Sequence, residues 1–430
     1  PTWNLTKSTM TQVCFGPGGG QIPENTPELS ETTGQFMKQW GIVSLDFESQ
    51  EGLWAKHSPK NSDIMMIEQC AQMKKLAPDT KVWAYRNLVQ AYANFVQIRE
   101  KLEDPAYAGW FLPFAPNASM PRCEINPRLN KSLCSDLFHS KLSWTEDGHD
   151  CGDVIPCGNY VFDHRNQSLR DWIVNEYMMG SSLGMGNRSA IDGFLIDDWW
   201  SSFGPSEVPG FNDNTGLAFY SDAVEEIYGN WSETTWKSLE AVQAAGGFTW
   251  SNINCELDPL YGQTLGFEKY KCGLTKTNGS PRANNVNTAP IWDGRTGNDM
   301  ERNETGAVDC AAWLREACRE NSVFGHIPTM ISFTDASTPR HGHCGNPFPA
   351  LLQDVARFLL VRNNYSWMGY GWEGCITTPP PVVMYDHDYG VPVNNGLCTE
   401  TAPKSGIFTR KYTKADVTVN CNTFVTNITL

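Results

Sequence analysis

The residues most able to take part in a chemical reaction are two adjacent carboxylates, Asp197 and Asp198, which end an apolar run that begins at Ile191. The run predicts a buried strand. Burial makes a carboxylate costly unless its charge is paired or used, so acidic residues at such a tip are candidate functional groups. Two carboxyl groups that flank one bond can protonate a leaving oxygen and stabilise positive charge at carbon, which is the chemistry of glycosidic bond hydrolysis.

Polar and aromatic side chains also end the other predicted strands. Carboxylates and amides bind hydroxyl groups, and aromatic rings stack on the C–H faces of sugars, so this set predicts carbohydrate binding. For any single tryptophan, a place in the core is the stronger expectation. The predicted substrate-binding residues are Asp46, Glu48, Arg86, Asn87, His164, Arg165, Trp199, Trp200, Asn252, Trp372 and Glu373.

Hydrolysis needs two carboxyl groups in different roles. We predict Asp197 as the nucleophile or stabiliser and Asp198 as the second choice, because neighbouring residues on a strand point to opposite faces and only one of them can face a pocket. No residue is an obvious general acid, and this absence weighs against catalysis. The candidates for that role are Asp163, Glu256, Asp335 and Glu373.

Two of these groups have a structural alternative that the sequence leaves open. Asp46 and Glu48 could pair with Arg86 rather than bind sugar. Residues 163–165, Asp-His-Arg, could form an ion-pair cluster that only stabilises the fold.

Strand-like and helix-like segments alternate along most of the chain and predict the frame that would position these residues. The predicted strands are residues 11–15, 42–47, 81–86, 159–164, 191–197, 248–252, 329–333 and 366–370, and a predicted helix follows seven of them. Eight such units fit a closed (β/α)8 TIM barrel, an α/β fold whose functional residues lie where the strands end. An open doubly wound sheet is less favoured, because the glycines after the first strand do not fit its phosphate-binding fingerprint.

Two segments depart from the alternation. Residues 115–157 are rich in Pro, Ser and Asn and contain four cysteines, so we expect an insertion stapled by disulfides within a barrel of residues 1–375. Residues 376–430 alternate in the manner of antiparallel strands, notably at 382–385, 406–412 and 416–420, and predict a small C-terminal β domain.

Residues 191–200 resemble the Asp-Gly-apolar-apolar-apolar-Asp strand of many barrel glycoside hydrolases, in which the terminal Asp is a nucleophile or stabiliser. Residues 160–166 resemble a second functional strand end of uncharacterised hydrolase-like barrels, and residues 390–392, 408–410 and 417–420 resemble the tail of those proteins. The resemblance covers the barrel pattern and the C-terminal segment. It implies a secreted glycoside-hydrolase-like barrel with a terminal β domain, without naming a substrate.

Composition narrows the class of partner. The 430 residues carry 48 acidic and 33 basic side chains, a formal net charge of −15. An acidic chain without a basic cluster disfavours nucleic acid as a partner, and the lack of a long apolar stretch predicts no membrane span. A polysaccharide or glycan is the expected partner.

Cysteines and glycosylation acceptors indicate an oxidising, extracellular environment. The chain has 14 cysteines, an even number, and buried free thiols are the less favoured alternative. All are expected in disulfides of undetermined pairing: Cys14, Cys70, Cys123, Cys134, Cys151, Cys157, Cys255, Cys272, Cys310, Cys318, Cys344, Cys375, Cys398 and Cys421. The Asn-X-Ser/Thr acceptors are Asn4, Asn117, Asn130, Asn166, Asn187, Asn230, Asn278, Asn303, Asn364 and Asn427. We therefore expect a secreted glycoprotein from which a signal peptide has been removed.

No metal and no cofactor are expected. Residues 341–344, His-Gly-His-Cys, lack a partner pair at zinc-site spacing, so a disulfide-bearing loop is favoured there. Residues 386–388 and 212–214 carry oxygen ligands for calcium but not the spacing of an EF-hand, and are interpreted as turns.

Two functions remain open from the sequence. One is a secreted glycoside hydrolase that uses paired carboxylates. The other is a non-catalytic glycoprotein that keeps the barrel as a scaffold, binds polysaccharide or self-assembles into an extracellular coat or filament.

Overall fold

A computed structural model gives the positions of a defined part of the chain. The described residues are 10–13, 28–29, 31, 34–35, 38, 40–47, 51–126, 128–141, 150–206, 208–251, 291–293, 307–308, 310–312, 314–315, 318, 329–333, 351–362, 366–370, 387–393 and 397–430.

Most described strands are short, and several are largely buried. In chain order they are β1 Met10–Val13, β2 Ile42–Leu45, β3 Lys81–Asn87, β4 Gln90–Tyr92, β5 Cys123–Asn126, β6 Lys131–Cys134, β7 His139–Lys141, β8 Gly158–Val161, β9 Gly193–Asp197, β10 Trp200–Ser201, β11 Gly204–Pro205, β12 Phe248–Ser251, β13 Ile291–Asp293, β14 Thr329–Phe333, β15 Ser366–Tyr370, β16 Thr399–Glu400, β17 Ile407–Lys411, β18 Asp416–Asn420 and β19 Val425–Thr429.

Helices connect many of these strands. They are Glu51–Trp54, Ser62–Leu76, Val96–Glu103, Gln167–Trp172, Phe211–Thr215, Asp222–Ala244 and Leu351–Val361, with a 3₁₀ helix at Pro105–Trp110 and a π-helical turn at Ile173–Met178. The sequence predicts two helices where Asp222–Ala244 is continuous. The cost of Gly229 inside a helix, about 1 kcal/mol, is offset by a buried face that includes Val224, Ile227 and Trp231.

Eight strands of the described residues pair in parallel, in two sheets. One has the order β1-β2-β3-β9-β12 and the other the order β13-β14-β15, and β1 contacts β15. Asn87 is paired with Asp197 in the register of β3 and β9, so their side chains lie on the same face. The parallel α/β arrangement expected from the sequence is present in these strands.

The prediction that residues 159–164 form a parallel strand of the barrel is wrong. β8 occupies residues 158–161 but pairs antiparallel with β4 and β7, and β3 pairs directly with β9. The eighth parallel strand is instead β13, which is not among the predicted strands. Its three residues are too few to display a strand periodicity.

The insertion is cross-linked as expected, by Cys123–Cys134 and Cys151–Cys157. The prediction that Cys70 forms a disulfide is wrong. Its thiol is free and fully buried on the helix Ser62–Leu76, where it behaves as a small apolar side chain. Of the remaining predicted cysteines, Cys14, Cys255, Cys272, Cys344 and Cys375 lie outside the described residues.

An antiparallel sheet of order β16-β17-β18-β19 forms the C-terminal part, and the predicted strands at 406–412 and 416–420 are present in it. The sheet packs on the helix Leu351–Val361 around a core that includes Val355, Phe358 and Val417. Disulfides Cys310–Cys421 and Cys318–Cys398 join it to the segment that precedes that helix. The predicted strand at 382–385 lies outside the described residues.

Candidate active site

The carboxyl ends of β3 and β9 bring a polar cluster to one face of the parallel sheet. Tyr85 and Asn87 of β3 share that face with Asp197 of β9, as the register requires. The Tyr85 hydroxyl donates a hydrogen bond to Asp197 Oδ2 over 3.1 Å. A side chain from each strand therefore meets at the strand tips, which is where residues of a parallel α/β sheet can act together.

Asn87 is held in one orientation by the backbone that follows it. Its Oδ1 accepts hydrogen bonds from the N–H groups of Val89 (2.8 Å) and Gln90 (2.7 Å). The amide nitrogen must then point the other way, where it donates to Asp198 Oδ2 at 2.6 Å. The same nitrogen lies 3.0 Å from the Tyr85 hydroxyl. The turn after β3 thus presents a fixed donor to the carboxylates.

Asp198 lies just beyond the strand and has a positive φ of 59°, a conformation that side-chain-bearing residues seldom adopt. This turn interrupts the alternation of strand side chains. The sequence predicts that only one of Asp197 and Asp198 can face the site, but the structure places both in one network through Asn87 and Tyr85. Backbone strain of this kind collects at functional sites.

Both oxygens of Asp198 have protein partners. Asn87 and Gln90 Nε2 each donate to Oδ2 over 2.6 Å, and Ser206 Oγ donates to Oδ1 over 2.9 Å. The residue is 3% exposed. Burial and the negative charge of Asp197 raise the pKa of Asp198 to about 7, although the three hydrogen bonds oppose that shift.

Asp197 is half-buried, and so more accessible than Asp198. Tyr85 directs its one hydroxyl proton to Asp197, so the neighbouring Tyr92 hydroxyl, 3.0 Å from that of Tyr85, is the donor of their pair. Burial, followed by the charges of Asp197 and Asp198, keeps the pKa of the Tyr85 hydroxyl well above its usual value. Both phenols are therefore neutral donors at ordinary pH.

Asp46, at the end of β2, belongs to the same region. It is 4% exposed, and its charge contributes to the raised pKa of both Tyr85 and Tyr92. Phe47 packs beneath the two phenols, with its ring centroid 5.3 Å from each. Three carboxyl groups thus lie near an aromatic floor, and those that are ionised could stabilise positive charge.

Arg86 extends to the opposite face of β3. Its guanidinium lies 4.9 Å from the Tyr177 ring centroid and 5.0 Å from that of Phe194, and donates to the Leu183 carbonyl. The suggested pairing of Arg86 with Asp46 is therefore not present. The reason is the strand alternation that gives Tyr85 and Asn87 the other face.

The Asp-His-Arg run at residues 163–165 follows the antiparallel strand β8. Arg165 donates to both oxygens of Asp163, at 2.8 and 2.7 Å. His164 is buried and donates from Nε2 to the Leu88 carbonyl, and burial lowers its pKa to about 4. This geometry matches the alternative in which residues 163–165 form an ion-pair cluster that only stabilises the fold.

The two tryptophans after Asp198 have different positions. Trp200 is 1% exposed and packs edge-on against Phe211, so it fills the core. Trp199 is half-buried, and its backbone N–H donates to Ser206 Oγ. The other predicted site residues lie outside the described residues: Glu48, Asn252, Glu256, Asp335, Trp372 and Glu373.

Four residues of the network were not predicted from the sequence: Tyr85, Gln90, Tyr92 and Ser206. Tyr85 could have been identified, because it is two residues before Asn87 on a predicted strand and so shares its face. Gln90 reaches Asp198 from the start of β4 and Ser206 from just beyond the hairpin β10–β11, and the sequence reveals neither path.

The described glycosylation acceptors differ in the exposure and the hydrogen bonding of their Asn side chains. Asn117, Asn130 and Asn427 are exposed. Asn166 caps the helix Gln167–Trp172 with Oδ1, and its amide nitrogen donates to the Gly109 carbonyl. Asn187 likewise bonds the Ser182 carbonyl through its amide, and Asn230 is half-buried on a helix. Asn4, Asn278, Asn303 and Asn364 lie outside the described residues.

Within the described ranges, no three His, Cys, Asp or Glu side chains are arranged to hold a metal ion. None of the helices in that part of the chain combines the length and apolar character of a membrane span.

No protein-family model matches the chain, and no curated protein is significantly similar to it. Among solved structures, trehalose-6-phosphate hydrolase of Bacillus licheniformis is 11% identical, with 86% of this chain and 65% of that chain covered and a TM-score of 0.40. Sucrose 6F-phosphate phosphorylase of Thermoanaerobacter thermosaccharolyticum is 10% identical, with 98% and 95% covered and a TM-score of 0.45. A noncanonic maltogenic alpha-amylase of Thermotoga neapolitana is 11% identical, with 96% and 85% covered and a TM-score of 0.41. With TM-scores below 0.5, these similarities transfer neither a family nor an activity to this chain.

Proposed function

We propose that the protein is a secreted glycoside hydrolase in which Asp197 is the nucleophile or charge-stabilising carboxylate. The observation that carries this proposal is the pair of adjacent carboxyl groups in unlike environments. Asp197 is half-exposed and bonded to Tyr85, whereas Asp198 is buried with a pKa raised to about 7. Titratable neighbours whose environments separate their pKa values are typical of acid–base sites.

In the proposed reaction, the glycosidic C–O bond breaks while positive charge develops at the anomeric carbon. Asp197 faces that carbon, and Tyr85 fixes the position of its carboxylate. Asp198 touches only protein groups, so it acts as a positioning residue through Asn87. The leaving oxygen takes a proton from a general acid, and water supplies the new oxygen on the sugar.

The identity of the general acid is a second proposal. Asp163 is a weak candidate because Arg165 occupies both of its oxygens. Glu256, Asp335 and Glu373 follow the later parallel strands β12, β14 and β15. In a closed barrel, which the eight parallel strands support, those strand ends share a rim with Asp197.

The proposed substrate class is a polysaccharide or glycan outside the cell. Hydroxyl-binding carboxylates and amides surround Asp197, with aromatic rings beneath them. Four disulfides in the described residues and three exposed glycosylation acceptors support an extracellular location. Domain limits of 1–375 and 376–430 remain our proposal.

A hydrolysis screen with fluorogenic glycosides and polysaccharides tests the central claim. We expect Asp197→Asn to lower kcat/KM about 10³-fold or more on any substrate that the wild type cleaves. Asp79→Asn, a change at an exposed residue outside the cluster that creates no glycosylation acceptor, is the matched control and should keep wild-type activity. Equal activity in wild type and Asp197→Asn would remove Asp197 from the reaction.

Leaving-group chemistry then identifies the acid. Among Glu256→Gln, Asp335→Ala and Glu373→Gln, the variant that lacks the acid should regain activity on a dinitrophenyl glycoside, whose leaving group needs no proton. Asp197→Ala should instead respond to added azide, which replaces the missing carboxylate. Glycan binding by wild type and Asp197→Asn without any hydrolysis would support the scaffold alternative.

A further inference from the structure

We infer that Phe203, Phe219 and Tyr220 form a sugar-binding platform for a neutral glycan chain, next to the carboxylate site. These three rings, called the aromatic platform below, are 39%, 47% and 51% exposed. Large aromatic side chains seldom remain this exposed together on a soluble protein, and a clustered patch marks a binding surface. The inference rests on the proposed function for the chemistry of its ligand.

The rings of the aromatic platform contact one another. The Phe203 centroid lies 5.9 Å from that of Phe219 and 4.7 Å from that of Tyr220, and both pairs are inclined at 67°. Edge-to-face contacts of this kind stabilise a defined arrangement of rings. The platform is therefore a formed surface before any ligand arrives, so little ordering is lost on binding.

Backbone geometry maintains the exposure of the platform. Tyr220 has a positive φ of 57°, which is unfavourable for an aromatic residue, and its N–H donates to the Ser202 carbonyl over 2.8 Å. Gly204, at φ 87°, ends the turn that carries Phe203, and a Cβ there would lie 3.0 Å from the Phe211 ring. The chain thus accepts strain that keeps apolar rings in solvent, which points to a use for them.

The hairpin β10–β11 joins the platform to the carboxylates. Phe203 lies at its tip, and Ser206 at its base donates to Asp198. Three residues of extended chain span about 10 Å, a length that exceeds one sugar unit. A chain of several sugars could therefore contact the platform while one glycosidic bond lies at Asp197.

Charge favours a neutral glycan over other occupants. Asp222, Glu225 and Glu226 are exposed and follow Tyr220 directly on the helix Asp222–Ala244. They repel anionic polymers. A second copy of this chain is also disfavoured, because each copy has a formal net charge of −15. A neutral polysaccharide offers apolar C–H faces to the rings without an electrostatic penalty.

Binding measured in the Asp197→Asn background tests the inference, because the ligand is not consumed. We would titrate cellulose, chitin, β-1,3-glucan, mannan, xylan and starch by pull-down and affinity electrophoresis. Phe219→Ala combined with Tyr220→Ala should weaken binding at least about tenfold, the scale of a lost aromatic contact or two. Tyr220→Phe should bind like its parent, and Ile125→Ala, at an exposed apolar residue outside the platform, controls for general surface effects.

Each outcome bears on the platform separately from hydrolysis. Unchanged binding by the double variant, or no binding of any of these polysaccharides by the parent, overturns the platform. A self-association that the double variant abolishes, without glycan binding, overturns it as well. Lost binding in a double variant with the parent's thermal midpoint supports it, whether or not the wild type hydrolyses glycans.

Discussion

Two buried charges in this protein, Asp198 and Arg410, are held in contrasting ways. Asp198 lies at the tips of the parallel strands and is bonded by side chains of Asn87, Gln90 and Ser206. Arg410 lies in β17 of the C-terminal sheet and donates from Nη1 to backbone carbonyls at the end of the helix Leu351–Val361.

The difference separates a charge that stabilises the fold from a carboxyl group for which we propose a function. The last carbonyls of a helix have no partner within the helix, so Arg410 satisfies acceptors that already exist. Tyr412 adds a hydroxyl to the same helix end. At Asp198, by contrast, neutral amides and a hydroxyl are assembled around a carboxylate that burial disfavours. A neutral side chain could fill that place, which supports the proposal that this carboxyl group serves the site rather than the stability of the fold.

The largest effect is expected from removing the disulfide that links the C-terminal sheet to the preceding segment. Replacing Cys310 and Cys421 together by serine opens a cross-link that spans 111 residues, which should lower the free energy of unfolding by about 4–5 kcal/mol. The matched pair, Cys123→Ser with Cys134→Ser, opens a span of 11 residues and should cost about 3 kcal/mol. Urea unfolding measures both. An unchanged midpoint for the first variant would show that the cross-link does not hold the sheet.

Arg410→Ala should remove about 3 kcal/mol of stability, since it leaves the buried carbonyls of Leu359, Leu360 and Arg362 without this donor. Lys411→Ala, the next residue and exposed, is the control and should be near neutral. Hydrogen exchange should show the loss concentrated in residues 397–430. Weakened protection that instead reached Asn87 and Asp197 would contradict the separation of the two regions.

The third expected effect is a pH dependence that Asp198 confers. Its pKa in the folded protein is about 7, above the ordinary value of 3.8, so the folded state keeps a proton that the unfolded chain has lost between these values. The contribution of Asp198 to the free energy of unfolding is therefore greatest below pH 3.8, decreases as the pH rises toward 7, and is constant above pH 7.

Asp198→Asn removes that titration while keeping the shape of the side chain. Its oxygen can still accept from Asn87 and Gln90, and its amide can donate to Ser206. We expect the thermal midpoint of this variant, relative to wild type, to rise from pH 4 to about pH 7 and to level off above it. Parallel midpoint curves for the two proteins would show that Asp198 is not held with a raised pKa.

Periodicity predicted much of the frame. The predicted strands at 329–333 and 366–370 coincide with β14 and β15, and the predicted strand at 191–197 contains β9. Apolar runs of this length are typical of strands in a parallel sheet. The strand at 159–164 was assigned to the wrong sheet, because an apolar run does not specify its partner, and β7 within the insertion pairs with it.

The composition of residues 191–200 by itself determined that a strand would carry acidic residues at its tip, because apolar residues must be buried and adjacent carboxylates must then emerge where the strand ends. Only the tertiary structure decided what surrounds them. The left-handed turn at Asp198 brings its carboxyl group to the hydroxyl of Ser206, 8 residues on, and to the amide of Gln90, 108 residues away in sequence. Hydrogen bonds at 2.6–2.9 Å depend on three-dimensional position, which no local pattern of residues encodes.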